Sequence, residues 1–297
     1  MKKINKTITA LLLVCIIVIP ASLSVNAAAV AFVSDYTQLE TALAGKTSTI
    51  IILNDIGFDS TLPIDYDVTF ASNAEVTLFQ NSNSKRHFNV NGSTSINLVF
   101  QGITLDGNSI GGGFYSSTAQ TYIEGVTIEN CRQSSGAAIE SSGWLGLKDC
   151  IINNNKASYY GGGIYCLQLN AEDCEFTNNM TYYGGGGAYI AHTGSLTNCT
   201  FTHNTTNEKG GAIFFSSDNP NTRPMLYLSE CTITNNEAAN GGGIYSNQYT
   251  MLLDTYIAFN SATANGGGLY MGMNSDYTSS NTYIYKNSPD DVFYSLY

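Results

Sequence analysis

Apolar residues alternate with polar ones in short bursts through the second two-thirds of the chain, and the bursts repeat. One burst has the form polar-Cys-x-(Ile/Phe)-x-x-Asn: Asp149-Cys150 to Asn155, Asp173-Cys174 to Asn179, Asn198-Cys199 to Asn204 and Glu230-Cys231 to Asn236. Degenerate copies place Thr255, Ile257 and Asn260, then Thr282, Ile284 and Asn287, in the same slots, and upstream copies hold Ile103, Leu105 and Asn108, then Val126, Ile128 and Cys131. A second phrase runs in step with the first: Gly111-Gly112-Gly113-Phe114-Tyr115, Gly161-Gly162-Gly163-Ile164-Tyr165, Gly241-Gly242-Gly243-Ile244-Tyr245 and four variants. Its apolar residue falls at 114, 139, 164, 188, 213, 244 and 269, with steps of 25, 25, 24, 25, 31 and 25. A fixed period in the twenties marks stacked structural repeats.

Alternation such as Cys150/Ile152 predicts a short strand with one buried face. Between the two phrases lies a third alternating run, for example Leu167, Leu169 and Ala171. Two or three such strands with tight turns use up one repeat, which leaves no room for a strand-helix-strand unit, and no segment in the repeats has helical spacing. The regular Leu-x-x-Leu-x-Leu frame of leucine-rich repeats is absent. The predicted fold is all-β: a single-domain right-handed parallel β-helix, in which like residues stack coil upon coil. The inward slots predict a ladder of Cys150, Cys174, Cys199 and Cys231. The turn slot predicts a ladder of Asn155, Asn179, Asn204, Asn236 and Asn260, hydrogen-bonded through their amides and set in the left-handed turn that Asn tolerates. Glycines at the remaining corner allow geometry that a Cβ would forbid.

The two ends differ from the repeats. Residues 1–27 carry Lys2, Lys3 and Lys6, an apolar run from Ala10 to Ile19 and a Val25-Asn26-Ala27 exit, the pattern of a secretory signal peptide, with an uncleaved anchor as the alternative. No other segment predicts a transmembrane span. Residues 28–48 predict an N-terminal cap: a helix with Asp35 as N-cap and Gln38 at N3 of a capping box, Leu39, Ala42 and Leu43 on one face and Gly45 at its end, placed before a first strand at Thr49–Leu53. Residues 49–297 predict the β-helix, with clear repeats over about 100–290 and looser coils around Val68–Phe70, Val76–Phe79, Phe88–Val90 and Ile96–Phe100. Ser216–Pro224 predicts a surface loop and accounts for the one long step. Ser288-Pro289-Asp290-Asp291 breaks the pattern, and the tail at Phe293–Tyr297 reads as a closing cap or a sticky edge.

The chain has 297 residues and a net charge of −11; losing residues 1–27 removes three lysines and no acid, leaving 9 basic against 23 acidic residues, or −14. Such acidity argues against nucleic acid and anionic membranes as partners. Six of the seven cysteines follow residue 27. An even number in an exported chain invites disulfides, but four occupy slots where Val126 and Ile103 stand in earlier copies, as small buried hydrophobes do. Side chains stacked on parallel strands point the same way, so reduced core thiols are the favoured expectation and disulfides the alternative. No Cys/His cluster has zinc spacing, and neither a metal nor a cofactor is predicted.

Gly-Gly-(Ala/Gly)-Ile paired with Phe-x-x-Asn, as at Gly210-Gly211-Ala212-Ile213 and Phe201-Thr202-His203-Asn204, resembles the repeats of the polymorphic outer-membrane protein (Pmp) family of chlamydiae. More broadly the chain resembles pectin-lyase-like β-helix and adhesin-like surface proteins. The resemblance covers roughly residues 100–290 and implies a secreted or cell-surface adhesin-like protein without catalysis. Pmp proteins end in a membrane β-barrel, which the repeats here are not followed by. The alternative is a polysaccharide-active enzyme on the same fold. Asp106, Asp149, Asp173 and Asp254 are its candidate carboxylates, but the last three recur with the repeat, as a solvated strand edge does, whereas a catalytic pair breaks the period. Arg86, Arg132 and Arg223 lie far apart in sequence, and no catalytic residue is predicted. The candidate binding surface is an aromatic ladder of Tyr115, Tyr165, Tyr189, Phe214, Tyr245 and Tyr270, with Glu140 as a gap, pointing outward by parity. Tyr159, Tyr160, Tyr182 and Tyr183 precede the same glycines. Exposed stacked aromatics suit glycan or protein partners; otherwise they shield the sheet by stacking on one another.

Overall fold

A computed structural model of the chain describes residues 29–217, 224–273 and 275–295. The chain forms a parallel β-solenoid, and every strand pairing among the described residues is parallel. Equivalent residues of successive coils stand in register: Leu105, Ile128, Ile152, Phe176, Phe201, Ile233, Ile257 and Ile284 form one continuous ladder. Seven of these side chains are fully buried, and Phe176 and Phe201 stack at 4.3 Å with parallel rings. Apolar residues from every coil merge into one core running the length of the rod, so each coil's stability derives from its neighbours.

Each coil of the regular repeats turns at three left-handed corners. Two are occupied by side chains: the polar residue before the Cys slot (Asp149, Asp173, Asn198, Glu230, Asp254) and the residue before the ladder Asn (Asn154, Asn178, His203, Asn235, Phe259). The turn residue is therefore one place earlier than the ladder Asn, which is held in the core with an ordinary backbone. The carboxylates expected along a strand edge stand instead at exposed corners, where Asp and Asn tolerate positive φ at least cost. The third corner is the first glycine of the Gly phrase, as at Gly161 (φ 62°). Gly162 is required for another reason, since a Cβ there would meet the Met180 backbone of the next coil at 2.6 Å. The run between the phrases forms one strand, Ile164–Glu172, with a register shift between Cys166 and Gln168. Leu167 faces outward (42% exposed) in alternation with the buried Ile164 and Cys166, and the shift returns Leu169 and Ala171 to the core.

The helix spans Tyr36–Ala44, with Leu39, Ala42 and Leu43 buried over the end of the core. Asp35 accepts the Gln38 N–H at 2.9 Å, while the Gln38 side chain reaches back to the Ser34 N–H rather than to Asp35. Gly45 caps the helix, but Lys46 is the residue in the left-handed conformation (φ 54°), followed by a Thr47 N–H to Ala42 carbonyl bond. The first strand is Val30–Val33, ahead of the helix and paired with Thr49–Ile52. The helix therefore closes the core without covering the sheet edge. Val68–Phe70 and Val76–Phe79, expected as separate runs, belong to one strand, Val68–Gln80, with a register shift between Ala71 and Val76. At the far end the pattern continues where a break was expected: Val292–Tyr294 pairs with Leu269–Met271 as a further coil. Residues 1–27, most of the Ser216–Pro224 segment and the last two residues of the tail lie outside the described residues.

Candidate functional site

Three ladders run along the rod, and they differ in what they leave accessible. In the amide ladder, Oδ1 of each Asn accepts both the backbone N–H and the Nδ2 of the Asn one coil before it. Asn155 gives to Asn179, Asn179 to Asn204, Asn204 to Asn236, Asn236 to Asn260, and Asn260 to Asn287, all at 2.9–3.1 Å. Each Nδ2 also reaches a carbonyl of the preceding coil, for example Asn204 to Phe176 at 2.8 Å. The series begins at the Cys131 N–H and ends at Asp291, whose Oδ1 takes both donors of Asn287. All five Asn residues from Asn155 to Asn260 are at most 1% exposed. This ladder is structural.

The cysteine ladder is equally buried, and all six described cysteines are free thiols. Cys150, Cys174, Cys199 and Cys231 each donate to the carbonyl two residues back, at 3.1–3.3 Å. Thr255 makes the same bond at 2.9 Å, so the slot accepts a small side chain with one donor as well as the aliphatic Val126 and Ile103 of earlier coils. Burial raises the pKa of the Cys131 and Cys166 thiols, which disfavours thiolate chemistry.

The aromatic ladder is only partly the outward array that parity implies. Tyr115, Glu140, Tyr165, Tyr189, Phe214, Tyr245 and Tyr270 are in register and continue to Phe293. Phe214 and Tyr245, however, are only 6% and 8% exposed. The Lys209 ammonium lies over both rings at 5.7 and 5.3 Å, and the rings pack edge to face. Burial raises the Tyr245 hydroxyl pKa to about 12, with Tyr270 adding to it. That half of the ladder shields the sheet. The accessible aromatics lie one corner earlier, before the glycines. Tyr159, Tyr160 and Tyr182 are 53%, 37% and 51% exposed. Tyr183 joins them, stacking parallel on Tyr159 at 6.0 Å and meeting Tyr160 at 5.6 Å and Tyr182 at 4.8 Å. Tyr160 then contacts Tyr189, which stacks on Tyr165 at 5.0 Å. Six tyrosines on adjacent coils thus form one contiguous platform. Stacking brings together two doublets separated by one coil period, which a linear reading treats as corner decoration.

Glu140 is explained by a residue that sequence reasoning left unassigned. Arg86 is buried and ion-paired to Glu140 at 2.8 Å, and it also donates to the carbonyls of Phe114, Ser135 and Gly136 at 2.8–2.9 Å. Its neighbour His87 accepts the Gly113 N–H through Nδ1 at 2.9 Å, while Nε2, which then carries the proton, finds no hydrogen-bond partner. Burial lowers the His87 pKa to about 3. Between pH 6.5 and 3 the unfolded chain therefore binds a proton that the folded chain does not. This group contributes stability fully above pH 6.5 and loses it as pH falls through the window, by up to about 1.4 kcal/mol per pH unit. In urea titrations from pH 7 to pH 4, His87→Gln is expected to show a shallower loss of stability than the parent. Equal slopes would refute this assignment. Asp106, the one candidate carboxylate outside the repeat slot, serves a turn by accepting from the Asn108 N–H and the Asn130 amide.

Three segments, residues 149–167, 198–216 and 230–247, match the profile of the Chlamydia polymorphic membrane protein repeat. Each begins at a left-handed polar corner and runs to or just past the Gly phrase. No curated protein matches the chain. Among solved structures, the A-module of mannuronan C-5 epimerase AlgE4 from Azotobacter vinelandii aligns with a TM-score of 0.44 at 13% identity, covering 89% of this chain and 96% of its own. The Dettilon tailspike protein aligns with a TM-score of 0.40 at 12% identity, covering 82% and 60%. The chain is a parallel β-helix whose coils resemble the Chlamydia polymorphic membrane protein repeat.

Proposed function

We propose that this protein is an exported, surface-associated, adhesin-like recognition module that binds glycans without catalysis. The observation that supports it is the tyrosine platform of Tyr159, Tyr160, Tyr182 and Tyr183, exposed on a rod whose amide and cysteine ladders are buried. Tyrosine offers a flat apolar face for a sugar ring and a hydroxyl at its rim. The platform is rigid because each tyrosine sits beside a corner fixed by inter-coil hydrogen bonds, so little conformational entropy is lost on binding. Export follows from the lysine-flanked apolar run before Ala28.

Glycan and cell-surface binding by the parent and by a Tyr159→Ala/Tyr182→Ala variant is the test. Both side chains project into solvent, so thermal stability is expected to stay within about 1 kcal/mol of the parent. Binding is expected to weaken at least tenfold. An unchanged affinity would exclude this face, and a parent that binds no glycan or cell surface would exclude the recognition reading.

A further inference from the structure

Next to the tyrosine platform, on the same face of the rod, the charge of the protein reverses locally. The six short strands of the second sheet carry Arg132, Lys156, Met180, Thr205, Glu237 and Ser261 at equivalent positions. Arg132 and Lys156 are register partners on adjacent coils, and both are exposed. The stack continues in the other direction through backbone bonds. The Arg132 N–H donates to the Gly111 carbonyl at 2.8 Å, and the Gly112 N–H donates to the Lys85 carbonyl at 2.6 Å. Lys85, also exposed, therefore stands two coils below Arg132, and the coil between them presents glycine, which has no side chain. A shallow groove of about 610 Å³ lies here, bordered by Asn83, Ser109, Arg132, Gln133, Ser134 and Tyr159. No carboxylate lines it. Gln133 is held across its floor by its Nε2, which donates to the Lys85 carbonyl at 3.3 Å.

We infer that this groove binds an anionic oligosaccharide, one bearing carboxylate or sulfate groups, with Tyr159 stacking on a terminal ring. The inference rests on the recognition reading above and names its ligand class. Lys85, Arg132 and Lys156 make no ion pair among the described residues, so their charge is available to a ligand. A guanidinium binds carboxylate or sulfate in bidentate fashion, and the ammonium groups beside it add point charge. Hydroxyl and amide side chains between the cations match sugar hydroxyls rather than an apolar ligand. Coils repeat about every 4.8 Å, comparable to the rise of one sugar in an extended polysaccharide, so cations and ring substituents advance together. A long polyanion such as nucleic acid is disfavoured, because the same face turns acidic at Glu237 and the rod as a whole is strongly negative.

The test is calorimetric titration of the full chain with three probes: galacturonate oligomers, their fully methyl-esterified neutral counterparts, and a sulfated oligosaccharide. At least one anionic probe is expected to bind, more than tenfold tighter at 20 mM than at 300 mM salt, with the neutral oligomer at least tenfold weaker. Which anionic probe binds identifies the group recognised. An Arg132→Ala/Lys156→Ala variant, with both changes at exposed side chains, is expected to lose at least tenfold in affinity with an unchanged melting temperature. Equal binding of neutral and anionic probes, unchanged affinity in the variant, or binding of none of the three would overturn the inference. If a neutral glycan binds through Tyr159 and Tyr182 but independently of Arg132, the recognition reading stands and the anionic assignment falls.

Discussion

Replacing Asn204 with leucine is expected to lower the unfolding free energy by about 4 kcal/mol, which corresponds to a fall of roughly 10 °C in melting temperature. The physical reason lies in the Asn179 donors. Its backbone N–H and Nδ2 both end on Asn204 Oδ1, at 3.1 and 3.0 Å in a site with no solvent access. Leucine leaves a buried N–H without an acceptor, and each such orphan costs about 1–3 kcal/mol. The Phe176 carbonyl loses its bond to Nδ2 as well. Asn204→Asp keeps the acceptor but sets a carboxylate against the Phe176 carbonyl and Asn236 Oδ1, so at neutral pH it is expected to destabilise further. Asp is accommodated only at the end of the ladder, where Asp291 has donors to receive and none to supply. The control is Asn154→Ala, next to Asn155 but at an exposed left-handed corner, expected to cost only about 1 kcal/mol. Denaturant midpoints for the three variants decide the matter. Equal losses for Asn204→Leu and Asn154→Ala would reject a ladder that carries stability.

Arg86→Met is expected to cost about 3–5 kcal/mol, because removing one partner of a buried pair strands the other's environment. Three carbonyls, of Phe114, Ser135 and Gly136, lose their donor together, and Glu140 loses its counter-charge. Glu140 stands in register between Tyr115 and Tyr165, where the other coils place an aromatic. Arg86→Met/Glu140→Tyr is therefore expected to recover part of the loss, since tyrosine restores stacking with both neighbours and leaves no charge unpaired. Chemical denaturation of the single and double variants provides the check. A double variant less stable than Arg86→Met alone would show that the pair has no such compensation.

The repeat phrases carried most of the architecture. Their period, the inward alternation of Cys150/Ile152 and Cys174/Phe176, and the Asn slot are set by local side-chain chemistry, and stacking converts a linear period directly into ladders. The helix at Tyr36–Ala44 was legible for the same reason, through Asp35 and the spacing of Leu39, Ala42 and Leu43. Some features escaped because they depend on neighbours in other coils. Whether Phe214 and Tyr245 face solvent depends on Lys209, which folds back over them from the preceding corner. Parity cannot register that cover. Leu167 and Leu169, two residues apart, fall on opposite faces because of a register shift that no alternation pattern announces.

The candidate sites divide along the same line. Sequence alone determined that the chain stacks, which residues stack on which, and that its net charge is strongly negative. Only the tertiary structure decided that Tyr159, Tyr160, Tyr182 and Tyr183 merge into one accessible platform. It also placed Lys85 two coils below and Lys156 one coil above Arg132, which borders a groove that no carboxylate lines. The reason is that a solenoid brings residues a full period apart to within one strand spacing. Net charge and linear distance, the quantities a sequence offers, average over that proximity, whereas a ligand meets only the local field.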